Sequence, residues 1–249
     1  MWTEIKATYA GSARVALMAP LIFILPAAAE MAQHVAEIRS GMFESLAAME
    51  AAANDSARMG FGVIKIFTLI LLIYWVNRAM ARLDGAQLRL LGDARSARLF
   101  AGVLAYAVVM SLVNLFGGGI IAPYLPDDRT LLYIGIAFFL AATALEIWLS
   151  VWKAGASLGN EQLGIGASFT VMRGNVWWSV GFFVLMFLPL MVVHYGLNFL
   201  AVGRSETMVW TLMIADCLVV GYLGIVLAAT VYATARRATR RKGVPLIAG

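Results

Sequence analysis

Six stretches of this chain are too long and too apolar for the core helices of a soluble domain. They run over 15–32, 61–81, 99–122, 131–152, 176–200 and 209–233. Crossing a ~30 Å hydrocarbon layer takes about 20 helical residues, and most of these runs reach that length. Apolar residues follow one another without the period-two alternation of a membrane barrel, so the spanning elements are helices. The expected fold class is all-α: one polytopic membrane domain over 1–249 with six transmembrane helices. Composition agrees, with 62% hydrophobic and 13% charged residues, where soluble domains have nearer half and a quarter.

The first run imitates a secretory signal, with Lys6 and Arg14 before it and "PAAAE" after it, offering Ala27-x-Ala29 as a cleavage site. The apolar pattern continues past Glu30, so we read the segment as a retained first helix. Charge sets the orientation. Fourteen of the nineteen Lys and Arg fall on the side that holds both termini and the 82–98 and 153–173 connections. Basic loops stay in the cytoplasm, which predicts a bacterial inner-membrane protein with both ends inside. Trp2, Trp75, Trp148, Trp152, Trp177 and Trp178 fall near the same boundary, where amphipathic rings settle. The basic tail "ARRATRRKG" beside a membrane helix reads as a topology signal and an anionic-lipid contact, not as a nucleic-acid patch.

The chain also repeats itself. "IYWVNRAMARLDGAQL" (73–88) aligns with "WLSVWKAGASLGNEQL" (148–163) at an offset of 75, with Arg78 over Lys153 and Arg98 over Arg173. Arg14 and Arg236 complete a third, split copy. A parallel repeat of helical hairpins is one reading. The other is that basic residues flank membrane helices generally. On the repeat reading, Arg14, Arg98 and Arg173 open the upward helices and Arg78, Lys153 and Arg236 end the downward ones. They would form a basic collar for anionic phospholipid head groups on the cytoplasmic side, where arginine's planar fork suits phosphate.

Residues 33–58 are the one long outer connection. Met31, Val35, Ile38, Met42, Leu46 and Met49 recur at helical steps, and Glu30, Glu37 and Glu44 line another face. This predicts an amphipathic periplasmic helix, acidic on its polar side, that packs on the bundle or on a protein partner. Self-association through the sixth helix is the other route to a partner, since Gly221, Gly224 and Ala228 allow close approach.

Ionisable groups inside membrane helices are costly and often functional. Asp216 lies well inside the sixth helix, Lys65 enters the second from the same side, and His194 lies in the outer part of the fifth. Lys65 and Asp216 are placed to pair across helices. Glu146, in the fourth, is the remaining intramembrane acid. These four form either an ion- or proton-coupled site or buried structural pairs. His34, on the outer segment, is expected to be solvated. The two histidines and one cysteine, Cys217, give no metal-ligand spacing, and no catalytic motif or cofactor fingerprint is present. We therefore expect no metal, no cofactor and no enzymatic activity.

The stretch "GIGASFTVMRGNVWWSVGFFVLMFLPLM" (164–191) resembles the Gly-x-Ser…Arg-Gly-Asn entry to the fifth helix of a bacterial six-helix family, the membrane domain of glycerophosphoryl diester phosphodiesterase. The matching residues are Gly166, Ser168, Arg173, Gly174 and Asn175. The resemblance implies an inner-membrane role near phospholipid or envelope upkeep. The soluble phosphodiesterase domain has no counterpart in this sequence. The leading expectation is a lipid-contacting scaffold or accessory subunit. The alternative is a small transporter or channel using Asp216, Lys65, His194 and Glu146.

Overall fold

The computed structural model describes residues 1–52 and 55–247, and among them there are helices and turns but no strand. Ten α-helices follow one another: α1 (Trp2–Met18), α2 (Pro20–Arg39), α3 (Leu46–Ala51), α4 (Ser56–Leu83), α5 (Ala94–Ile121), α6 (Asp128–Trp148), α7 (Ser150–Ser157), α8 (Ile165–Met172), α9 (Val176–Ala201) and α10 (Glu206–Lys242). Six are long and apolar enough to cross a membrane: α2, α4, α5 with the 3-10 turn after it, α6, α9 and α10. The chain is an all-α, multi-pass membrane protein.

The first span does not run over 15–32. A break at Ala19 (φ −138°, ψ 69°) ends α1, and α2 begins with Pro20 at its first position. The cause is local. The proline ring clashes with a helical conformation at the preceding residue, while proline itself fits a helix start. The span therefore moves toward the C-terminus, to Pro20–Arg39. Nor are residues 33–58 one amphipathic helix. The helix from Pro20 runs on to Arg39, a turn follows at Gly41 (φ 75°), and α3 is six residues long. Residues 53 and 54 of the expected outer helix lie outside the described residues.

The chain divides into two compact units. The first comprises Met1–Gln87 and Phe182–Thr230, the second Leu88–Gly181 and Val231–Gly249. The chain passes between them in the connection after α4, within α9 and again within α10.

In the first unit α2 packs along α4, and α1 against both. Two glycines of α10 make room for these helices. A Cβ on Gly221 would stand 2.9 Å from the backbone oxygen of Phe23 in α2, and one on Gly224 would meet the methyls of Leu69 and Leu72 in α4. Only hydrogen at these positions permits such closeness. At one end of the unit, Met42 and Phe43 pack with Ala201, Val209 and Met213. The Gly203 N–H donates to the Phe43 carbonyl at 2.8 Å. The turn after α2 is thereby docked on the ends of α9 and α10.

In the second unit α7 packs against α5 and α8. Ser168 ties α8 to the joint between α6 and α7: its hydroxyl donates to the Trp148 carbonyl and accepts from the Trp152 N–H. Asn175 is buried, and its side-chain oxygen accepts from Arg237, whose guanidinium lies 4.2 Å from the Trp178 ring centroid.

The aligned connectors end alike but one residue out of step. Gly85 and Gly159 both take positive φ, and the N–H of the next residue bonds the carbonyl five residues back, Ala86 to Ala81 and Asn160 to Gly155. The offset between these turns is 74, not 75. Helices α2 and α10 end the same way, at Gly41 and Gly243. The shared feature is the general glycine stop of a helix. The three "doorway" arginines differ in local setting. Arg14 lies inside α1, Arg98 in the first turns of α5, and Arg173 between α8 and α9.

Candidate functional site

Helix α2 carries Glu30, His34 and Glu37 at i, i+4 and i+7, which places them on one face. All three are buried, at 1%, 1% and 2% exposure. Helix α4 brings Lys65 and Arg58, α9 brings His194 and Asn198 one turn apart, and α10 brings Asp216, which is fully buried. Asp216 follows Glu206 by ten residues, about 15 Å along the axis at 1.5 Å per residue.

The contacts form one network. Asp216 lies at its centre: Oδ1 is 2.8 Å from His194 Nδ1, and Oδ2 is 2.9 Å from both His194 Nδ1 and His34 Nε2. Asn198 Nδ2 donates to Oδ2 at 3.1 Å. The other His34 nitrogen, Nδ1, is 2.7 Å from Glu37 Oε2. Glu37 Oε1 accepts from Gln33 at 2.7 Å and from Arg58 Nε at 2.8 Å. Lys65 Nζ lies 2.7 Å from Glu30 Oε2, and His34 Nε2 stands 3.4 Å from Glu30 Oε1. A neutral imidazole has one N–H. Satisfying both close contacts of His34 therefore takes a second proton, on the ring or on a facing carboxyl.

Two sequence expectations change here. Lys65 does not pair with Asp216: α2 lies along α4, so Glu30 meets Lys65, and Asp216 is taken up by the two histidines. His34 is not solvated, because the shifted α2 carries it into the packed part of the unit. Three carboxylates (Glu30, Glu37 and Asp216) face two fixed cations, Lys65 and Arg58. The second proton that the His34 contacts require offsets the one negative charge this leaves, so the third positive charge of the network is an exchangeable one.

The network lines a cavity of about 400 Å³ bordered by Glu30, Gln33, His34, Lys65, His194 and Asn198. Met42 and Met49 close part of it. Gln33 is 6% exposed, and its Oε1 is buried without a hydrogen-bond partner among the described residues.

Of the four intramembrane residues singled out in the sequence, Asp216, Lys65 and His194 come together in this network. Glu146 belongs to the second unit, where it ion-pairs with Lys153. Lys153 is 1% exposed, and its ammonium lies 5.6 Å from the Tyr106 ring centroid. Burial holds the Lys153 pKa below the usual lysine value. The head-group candidates divide by exposure. Arg14, Arg98 and Arg173 are exposed, Arg236 is half-buried, and Arg78 is buried with its guanidinium 5.5 Å from the Tyr74 ring centroid.

The residues that sequence reasoning missed are Glu30, His34 and Glu37. Their signal was present as "EMAQHVAE", an acid–His–acid pattern at helical spacing. No family model, curated protein or solved structure matches this chain.

Proposed function

We propose that this chain is a small inner-membrane transporter of an inorganic cation, and that the network around Asp216 is its binding station. The observation that carries this reading is the convergence of five titratable side chains from three helices. Glu30, His34, Glu37, His194 and Asp216 line or adjoin one cavity within candidate spans. Removing charges from water is expensive, and a purely structural pair needs only two partners. Five groups around an open volume, with one carboxylate more than the fixed cations, suit a site that exchanges a positive ligand. By the charge of its connections the cavity faces the periplasm. A buried site in a membrane bundle that opens to one side is what alternating access requires.

The test is flux in sealed proteoliposomes, read with a cation-sensitive dye trapped inside. Wild-type protein should carry cation, and Asp216→Asn, which keeps shape and loses charge, should not. Absence of flux from correctly folded wild-type protein against every ion tried would sink the reading.

A second reading, a lipid-contacting protein of envelope or phospholipid upkeep, draws on the exposure of Arg14, Arg98 and Arg173 and on the resemblance of residues 164–191. It predicts that anionic lipid co-purifies with the protein and is lost when these three arginines become lysine.

A further inference from the structure

We propose that Glu30, His194 and Asp216 form a binding site for a divalent first-row transition-metal ion such as zinc. The proposal deepens the cation-transport reading and rests on it for biological purpose, but the site's geometry stands by itself.

One donor atom from each of the three side chains lies within 4.8 Å of the others. Ligand atoms around one tetrahedral ion, at bond lengths of about 2.0–2.2 Å, are separated by roughly 3.3–3.5 Å. Binding would draw this set in to that spacing. Each donor comes from a different helix, and neighbours hold the two carboxylates. Lys65 fixes one Glu30 oxygen, while the other stands 3.4 Å from His34 Nε2, longer than an ordinary hydrogen bond. Asn198 and His34 both contact Asp216. Metal-ligand side chains characteristically have such outer partners.

Gln33 supplies independent support. Its amide oxygen is buried, the residue lines the cavity, and among the described residues that oxygen has no hydrogen-bond partner. A buried acceptor without a donor is costly, and a metal-bound water would supply the donor. Three protein ligands with a water in the fourth position is the arrangement of an open site rather than a closed structural one.

The donor set selects the metal class. One imidazole and two carboxylates suit zinc, manganese or ferrous iron. Copper(I) would call for thiolate or thioether, and magnesium or calcium for oxygen alone. His34 acts as a positioning residue, holding Asp216 toward α9.

The experiment uses the full chain in detergent, with any affinity tag removed and metal stripped by chelator. Zinc is titrated by calorimetry and cobalt(II) by visible absorption, whose d–d bands report coordination directly. The expected result is one zinc per chain, a tetrahedral cobalt spectrum, and no competition from a large excess of magnesium. Glu30→Gln and Asp216→Asn should each weaken zinc at least tenfold, while Glu161→Gln, exposed and in the second unit, should not. Folding of every variant is checked by size exclusion and circular dichroism. Should Asp216→Asn fail to fold, Glu30→Gln and His194→Gln carry the comparison. Folded wild-type protein without stoichiometric zinc, binding unchanged in Glu30→Gln, or equal binding of magnesium would each overturn the site. Zinc binding without flux would keep the site and remove the transport reading. Flux of another cation without zinc binding would do the reverse.

Discussion

His194 Nδ1 lies 2.8 Å from Asp216 Oδ1, joining α9 to α10 at a point where Asp216 has no exposure to solvent. The contact has an energetic consequence. Removing one member of a buried charged network leaves the others without compensation, at a cost of about 3–5 kcal/mol. Asp216→Ala should therefore lower unfolding stability in detergent by roughly 3 kcal/mol. Asp216→Asn, which keeps two hydrogen-bonding atoms, should cost less than half as much. Equal losses from both would mean that charge, not hydrogen bonding, holds this junction.

Gly221 governs how closely α10 approaches α2. A methyl there would press on the Phe23 carbonyl at 2.9 Å, and backbone cannot swing aside. Overpacking of this kind costs about 1–3 kcal/mol, and the separation of Glu30 from Asp216 should grow. Gly224→Ala presses on two leucine methyls, which can rotate, and touches Pro26 at ordinary van der Waals distance, so it should cost less. A thermal denaturation series reads both. Gly221→Ala tolerated better than Gly224→Ala would contradict the packing described.

Lys153 and Glu146 should behave as a coupled pair. Glu146→Gln leaves the buried Lys153 ammonium without its partner and should cost about 3 kcal/mol, whereas the double variant with Lys153→Met should recover most of the loss. A double-mutant cycle measures the coupling directly. Additive effects would mean that the pair contributes little.

Topology is tested with single cysteines at Ser45 and Leu90, since native Cys217 is buried. An impermeant maleimide added outside intact cells should label position 45 and spare position 90. Labelling of 90 alone would invert the orientation assumed for the cavity.

The helical spans were legible because membrane helices announce themselves by length and hydropathy, which are local properties. The first boundary was not, because the apolar pattern runs straight through Ala19 and Pro20. Only the steric rule for the residue before proline marks the break. That displacement hid the site. With the helix ended at residue 32, Glu30 sits at a rim and His34 and Glu37 in water. With the helix running over Pro20–Arg39, the same residues lie against α10. Asp216, Lys65 and His194 could be singled out as buried charges, but not their partners, because pairing depends on which helices adjoin. Sequence offered Lys65 and Asp216 as complementary, and packing gave Lys65 to Glu30. The resemblance between residues 73–88 and 148–163 was legible, yet the turn it shares recurs at Gly41 and Gly243, so helix termination accounts for that part of it.

The turn after α2 and the six-residue α3 supply Met42, Met49 and Glu50 to the cavity wall. A helix that short has no stability of its own in water. It is kept in place by Met49 and Ala52, which pack on the small cluster of Met42, Phe43, Ala201, Val209 and Met213, and by the hydrogen bond from Gly203 to Phe43. Regions held by so few contacts open at a small fraction of the free energy of global unfolding. Amide exchange should therefore be fast over residues 42–52 and slow over the facing turns of α2 and α10. On the cation-site proposal, water and ions would then reach the carboxylates by fluctuation of this cover, on its own timescale, while the helices beneath would keep the ligand geometry.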